Sequence, residues 1–70
     1  MIEVFKTNVK RRTEAKKIVQ LLLEHFPASR INFDLDDCDR ILRVEGEDFC
    51  PERIIGLVMN NGFCCDVLLD

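Results

Sequence analysis

No apolar run in this chain approaches the roughly 18 residues that a membrane crossing requires. Its first residues, Met1-Ile2-Glu3-Val4-Phe5-Lys6, hold neither the basic stretch nor the apolar stretch of a secretory leader. The expected address is the cytoplasm, with no membrane partner. Repeats, low-complexity stretches and linkers are missing too, which leaves one domain over residues 1–70. The low-hydrophobicity, high-charge signature of disorder is equally absent, since 47% of residues are hydrophobic and 33% charged. No nucleophile has an identifiable base, no glycine-rich phosphate loop occurs, and no pair of carboxylates has a geometry that can be argued. Enzyme function is therefore not expected, nor is a cofactor.

What the chain does have is charge of both signs, unevenly placed. Residues 1–30 hold seven Lys/Arg against three Glu, a balance of +4, whereas residues 31–70 hold three Arg against ten Asp/Glu, a balance of -7. Such asymmetry points to partners. The overall charge of -3 disfavours nucleic acid as the main one, although a local basic patch still attracts anions. Four cysteines would suggest a disulfide framework in a secreted chain, but nothing marks secretion, so reduced thiols are expected.

Six short segments follow one another as strand, helix, strand, strand, helix, strand. Residues 2–7 are β-branched and alternating, and Asn8 closes them. From about Thr13 to Phe26 the apolar residues Ala15, Ile18, Val19, Leu22 and Phe26 recur every three or four positions, the period of a helix with one buried face, and Pro27 stops it. Over 30–35, Ile31, Phe33 and Leu35 alternate with Arg30, Asn32 and Asp34 as in a half-buried strand. The acidic turn Asp36-Asp37-Cys38-Asp39 leads into Ile41–Glu45, an antiparallel hairpin that ends at Gly46 with Leu42 and Val44 inward. Pro51 opens a second helix whose stripe is Ile54, Ile55, Val58 and Met59 and which ends before Gly62. A last strand runs from Phe63 to Leu69, with Phe63, Cys65, Val67 and Leu69 on one side and Cys64, Asp66 and Leu68 on the other.

That order packs two helices on one face of a four-stranded antiparallel sheet, an α+β, ferredoxin-like βαββαβ sandwich. Chain direction places the loop Asn8–Arg12, the hairpin tip near Asp37 and the turn at Gly62-Phe63 at one end, with Cys50 at the other.

Several segments resemble the heavy-metal-associated domain, the module of soft-metal chaperones and of the cytoplasmic arms of metal-transporting ATPases. Glu14-Ala15-Lys16-Lys17-Ile18-Val19-Gln20-Leu21-Leu22 is similar to the first helix of that family. Val44-Glu45-Gly46, Pro51-Glu52-Arg53-Ile54-Ile55, Asn61-Gly62-Phe63 and Asp66-Val67-Leu68 are similar to its third strand, second helix and final strand. The resemblance implies this fold over nearly the whole chain. It also implies that the family's Gly-Met-x-Cys-x-x-Cys metal loop falls on Asn8-Val9-Lys10-Arg11-Arg12-Thr13-Glu14, where Arg11 and Glu14 replace the ligand cysteines. A guanidinium cannot ligate a metal, and a soft cation wants thiolate. Val9 keeps an apolar residue where the family has Met.

Three sets of residues then compete for a function. Lys10-Arg11-Arg12, with Asn8 before and Lys16 and Lys17 after, sits at a helix N-terminus, where the dipole disfavours cations and free N–H groups attract anions. A phosphate or an acidic partner would relieve that conflict, but the cluster also reads as a solvated face, some of it paired with Asp36, Asp37 and Asp39. Cys64-Cys65, with Cys38 toward the same end, could meet a soft metal, yet strand alternation turns the adjacent thiols to opposite faces. The acids from Asp34 to Glu45 follow a calcium loop only loosely, because Asp39 stands where Gly is required. His25 reads as a surface or capping residue. A ferredoxin-like RNA reader would need exposed aromatics on its central strands, and the third strand has none. The expected function is thus a noncatalytic relative of the heavy-metal-associated domain, without its CxxC site, acting through its surface in protein interaction or sensing. The alternatives are metal binding through Cys64, Cys65 and Cys38, or a small-anion regulatory domain, which would typically be a homo-oligomer.

Overall fold

The computed structural model describes residues 1–68. Its elements are β1 (Ile2–Thr7), α1 (Arg12–His25), β2 (Arg30–Asp34), β3 (Ile41–Glu45), α2 (Pro51–Asn60) and β4 (Cys65–Val67). Every strand pair is antiparallel, in one sheet of order β2-β3-β1-β4. The first strand therefore pairs with both the third and the fourth, giving the expected ferredoxin-like α+β arrangement.

One face of the sheet carries the core. Phe5, Leu42, Val44 and Cys65 project from the strands and meet Ala15, Ile18 and Leu22 of α1 and Ile54 and Val58 of α2. The period-2 alternation of the strands and the three-to-four spacing of the helices send these residues to the same layer. Ile41 is also buried, at 7% exposure, but lies outside that cluster because the alternation turns it to the helix-free face.

Helix ends follow local chemistry. Phe26 precedes Pro27 and takes φ -133°, outside the helical region, while its N–H still reaches the Leu22 carbonyl at 2.7 Å. At the end of α2, Gly62 has φ +89°, its N–H bonds the Met59 carbonyl at 3.0 Å, and the Phe63 N–H reaches the Val58 carbonyl at 3.4 Å. This is a complete Schellman stop, and it needs a residue without a Cβ penalty at positive φ.

Several element limits and one residue of a buried stripe differ from the expected ones, and α1 ends at His25, one residue before the expected Phe26. Helix α1 starts one residue early, at Arg12, because Arg11 can serve as extended N-cap. Strand β2 stops at Asp34, where the hairpin turn begins. Strand β4 covers only Cys65–Val67, since the Schellman turn uses Phe63; Leu69 lies outside the described residues. Met59 is not part of the buried stripe: it is 57% exposed, one position past Val58 on the helix.

Candidate functional site

Two side chains tie the expected loop end together. The Thr7 hydroxyl, on a residue only 6% exposed, donates to the Arg40 carbonyl at 2.6 Å and accepts the Val9 N–H at 3.2 Å. Asn8 Oδ1 accepts the Cys64 N–H at 2.7 Å. The β1–α1 loop is thereby pinned to the hairpin tip on one side and to the α2–β4 turn on the other. Val9 is fully buried, a hydrophobic anchor for a loop whose next residues are all exposed. Arg40 holds its left-handed φ of +46° through three contacts. Its N–H donates to the Asp37 carbonyl at 3.0 Å, its guanidinium to the Leu35 carbonyl, and its own carbonyl receives Thr7.

Lys10, Arg11 and Arg12 project from this fixed frame, and all three are exposed. The expected pairing with the acidic tip falls elsewhere. Among the described residues the ion pair is Lys6 with Asp39, at 3.8 Å, from the neighbouring strand. Lys10, Arg11 and Arg12 face solvent at the positive end of α1, a placement that costs free energy in isolation. One partial answer is internal, because the Arg11 N–H donates to Glu14 Oε1 at 3.3 Å. Arg11 has no acceptor to return, so only half of a capping box forms.

The start of α1 thus holds a cation at the N-cap, Arg11, and a carboxylate three residues on, Glu14. Among the described residues the four thiols do not gather into one cluster. Cys64 is exposed and Cys65 buried, as the strand alternation requires. Burial, then the neighbouring Asp66 carboxylate, pushes the Cys65 thiol up to about 12, so it stays protonated at neutral pH. Cys38 stands with Asp37 and Asp39 instead, their ligand atoms within 4.8 Å of one another. Among the described residues no such group includes Cys64 or Cys65. Cys50 is the N-cap of α2 at the far end and donates to Glu52 Oε2 at 3.0 Å, which holds that exposed carboxyl below its ordinary range.

Two features have no counterpart in the sequence reading. A cleft of about 500 Å³ opens at the far end between the α1–β2 and β3–α2 loops, lined by His25, Phe26, Ser29, Gly46 and Glu47 among others. There the Arg53 guanidinium lies 5.7 Å from the Phe26 ring centre and 3.5 Å from His25 Nδ1. A Cβ on Gly46 would stand 2.6 Å from Ser29 Oγ and 3.3 Å from Ser29 Cβ, so a larger residue there would have to turn the Ser29 hydroxyl aside and crowd the passage of these loops. A smaller cleft of about 260 Å³ lies along β2, lined by Arg12, Ala15, Phe33, Leu35 and Asp36. Both clefts join segments remote in the chain, and neither has a local sequence signal. On the helix-free face the central strands β3 and β1 carry Ile41, Arg43 and Glu45 beside Ile2, Val4 and Lys6, without an aromatic. Among the described residues no helix is long and apolar enough to cross a membrane.

Comparison with protein-family models, with curated proteins and with solved structures finds no match to this chain.

Proposed function

We propose that this chain is a noncatalytic interaction domain, resembling heavy-metal-associated domains without their soft-metal site, that binds an acidic segment of a protein partner at its loop end. The observation that supports this is the exposed set Lys10, Arg11 and Arg12, which makes no ion pair among the described residues and is held on a frame fixed by Thr7, Asn8 and buried Val9. A pre-fixed loop loses little entropy when a ligand docks. An anion at the start of α1 gains from both the side chains and the helix dipole.

The test follows amide signals while an acidic peptide, inorganic phosphate or Cu(I) is added under reducing conditions. The peptide is expected to shift Val9 to Thr13 most and to bind more weakly as salt rises, since exposed charges are screened beyond roughly 10 Å at 0.1 M. Arg11→Ala with Arg12→Ala should abolish that response without changing the circular dichroism spectrum. An equal response to phosphate alone would replace the protein partner with a small anion. Tight Cu(I) binding lost on replacing Cys38, Cys64 and Cys65 would replace this reading with a metal-binding one. Absent or uniform shifts would return the cluster to a solvated face.

A further inference from the structure

Strand β2 is one edge of the sheet, and the direction of its free backbone groups follows from two observations. The Gly46 N–H bonds the Met1 carbonyl at 2.9 Å, so Gly46 faces β1. In an antiparallel ladder the direction alternates residue by residue, so Val44 and Leu42 also face β1, while Glu45, Arg43 and Ile41 face β2. Their partners on β2 are Arg30, Asn32 and Asp34. Ile31 and Phe33 therefore turn their N–H and C=O groups outward from the edge, and no turn, loop or cap bond among the described residues takes them.

Edges of this kind are usually blunted by charged side chains, above all Lys, or by Pro, a bulge or shortness, and the two charges on β2, Arg30 and Asp34, are of opposite sign and so need not repel a second copy. The other edge, β4, has three residues. Strand β2 has five in unbroken register with β3, and its sequence Arg-Ile-Asn-Phe-Asp contains neither Lys nor Pro. That sequence is also complementary to itself when reversed. Around a two-fold axis at Asn32, Arg30 meets Asp34 of a second copy, and Ile31 meets Phe33. The Ile31–Phe33 pairs in this register are the ones whose outward groups exchange backbone bonds. The Arg30–Asp34 pairs take the closer, non-hydrogen-bonded positions, and both opposite-charge pairs and β-branched–aromatic pairs are favourable across strands.

We propose that β2 pairs antiparallel with β2 of a second copy about a two-fold axis at Asn32, joining two sheets into one continuous sheet. The register is limited on both sides. One step beyond Arg30 the Ser29 N–H is already given to the Phe26 carbonyl at 3.1 Å, and beyond Asp34 the Leu35 carbonyl receives Arg40. Pairing would also cover the half-buried Phe33 and Leu35 beside the cleft along this edge. An isologous contact of this type closes as a dimer and leaves no further β2 edge to propagate. The loop-end cations are not used in it, so the inference rests on the fold and not on the proposed partner.

Sedimentation over a concentration series, combined with amide exchange, tests it on the intact chain. The wild type should pass from monomer to dimer, and the Ile31 and Phe33 amides should gain protection in step. Arg30→Asp should weaken the dimer at least tenfold by facing carboxylate with carboxylate, and so should Asp34→Arg by facing guanidinium with guanidinium. The combined Arg30→Asp, Asp34→Arg protein should recover most of the affinity. Asn32→Lys, at an exposed position on the axis, should also dissociate it with an unchanged circular dichroism spectrum. A wild type that stays monomeric to about 1 mM overturns the proposal, as does a dimer indifferent to Arg30→Asp and Asn32→Lys.

Discussion

Replacing Thr7 by Val keeps the shape of a buried side chain and removes one oxygen, which makes it the sharpest probe of the loop end. That oxygen donates to the Arg40 carbonyl and accepts the Val9 N–H. The carbonyl sits on a half-buried residue and can recruit water, but the Val9 N–H lies in a fully buried residue and cannot readily do so. A stranded buried donor costs about 1–3 kcal/mol, and the lost bond to Arg40 about 1 kcal/mol more, for a total of about 2–4 kcal/mol. A chain of 70 residues has roughly 4–10 kcal/mol of stability at about 0.05–0.15 kcal/mol per residue, so the change removes a large share. With a urea slope of about 1 kcal/mol/M the midpoint should fall by about 2–4 M at constant slope. The chain has no Trp or Tyr, so unfolding should be followed by far-ultraviolet circular dichroism. Thr7→Ser is the control, because it keeps the hydroxyl and loses one methyl, worth about 1 kcal/mol. If Thr7→Val proves as stable as Thr7→Ser, the hydroxyl does not pin the loop and the pre-fixed frame under Lys10, Arg11 and Arg12 has no basis.

A thiol reagent at neutral pH should modify Cys38, Cys50 and Cys64 rapidly and Cys65 only at the rate of unfolding; four fast thiols would show that the β4 edge is open. The Cys65 thiol is raised from 9.0 to about 12 on folding, so its contribution is fully present below 9.0 and is lost as pH climbs toward about 12, because the unfolded chain ionises first. Wild type should therefore lose stability across that range more steeply than Cys65→Ala, and parallel curves would contradict the burial argument. In a protein with Cys38, Cys50, Cys64 and Cys65 replaced by Ser or Ala, Arg11→Cys with Glu14→Cys should create a Cu(I) site. A folded product that competes with a Cu(I) chelator no better than its cysteine-free parent would show that the loop alignment is wrong.

The fold was readable because its determinants are periodic. Ala15, Ile18 and Leu22 mark a helix, and Leu42 and Val44 mark a strand, whatever surrounds them. Misplaced limits fall where a local backbone device overrides the period. Phe63 continues the alternation of Cys65 and Val67, but the Schellman stop at Gly62 spends its N–H on Val58 and keeps it out of the strand. Met59 fits a helical stripe by count, yet α2 meets the sheet along Ile54 and Val58, and the next residue turns to solvent. The basic cluster was readable as charge, but not its lack of an ion pair among the described residues, since pairing depends on which side chain stands beside the acidic tip. That neighbour is Lys6, because β1 lies beside the start of β3 and brings Thr7 against Asp39 and Arg40. The same strand order decides what the rest of the surface can do. It puts β1 inside the sheet and β2 at its edge. A five-residue segment that reads as an ordinary half-buried strand thereby becomes a row of outward amides flanked by Arg30 and Asp34. Self-complementarity is written in those residues, but it acquires meaning only once the sheet order leaves them without a neighbour.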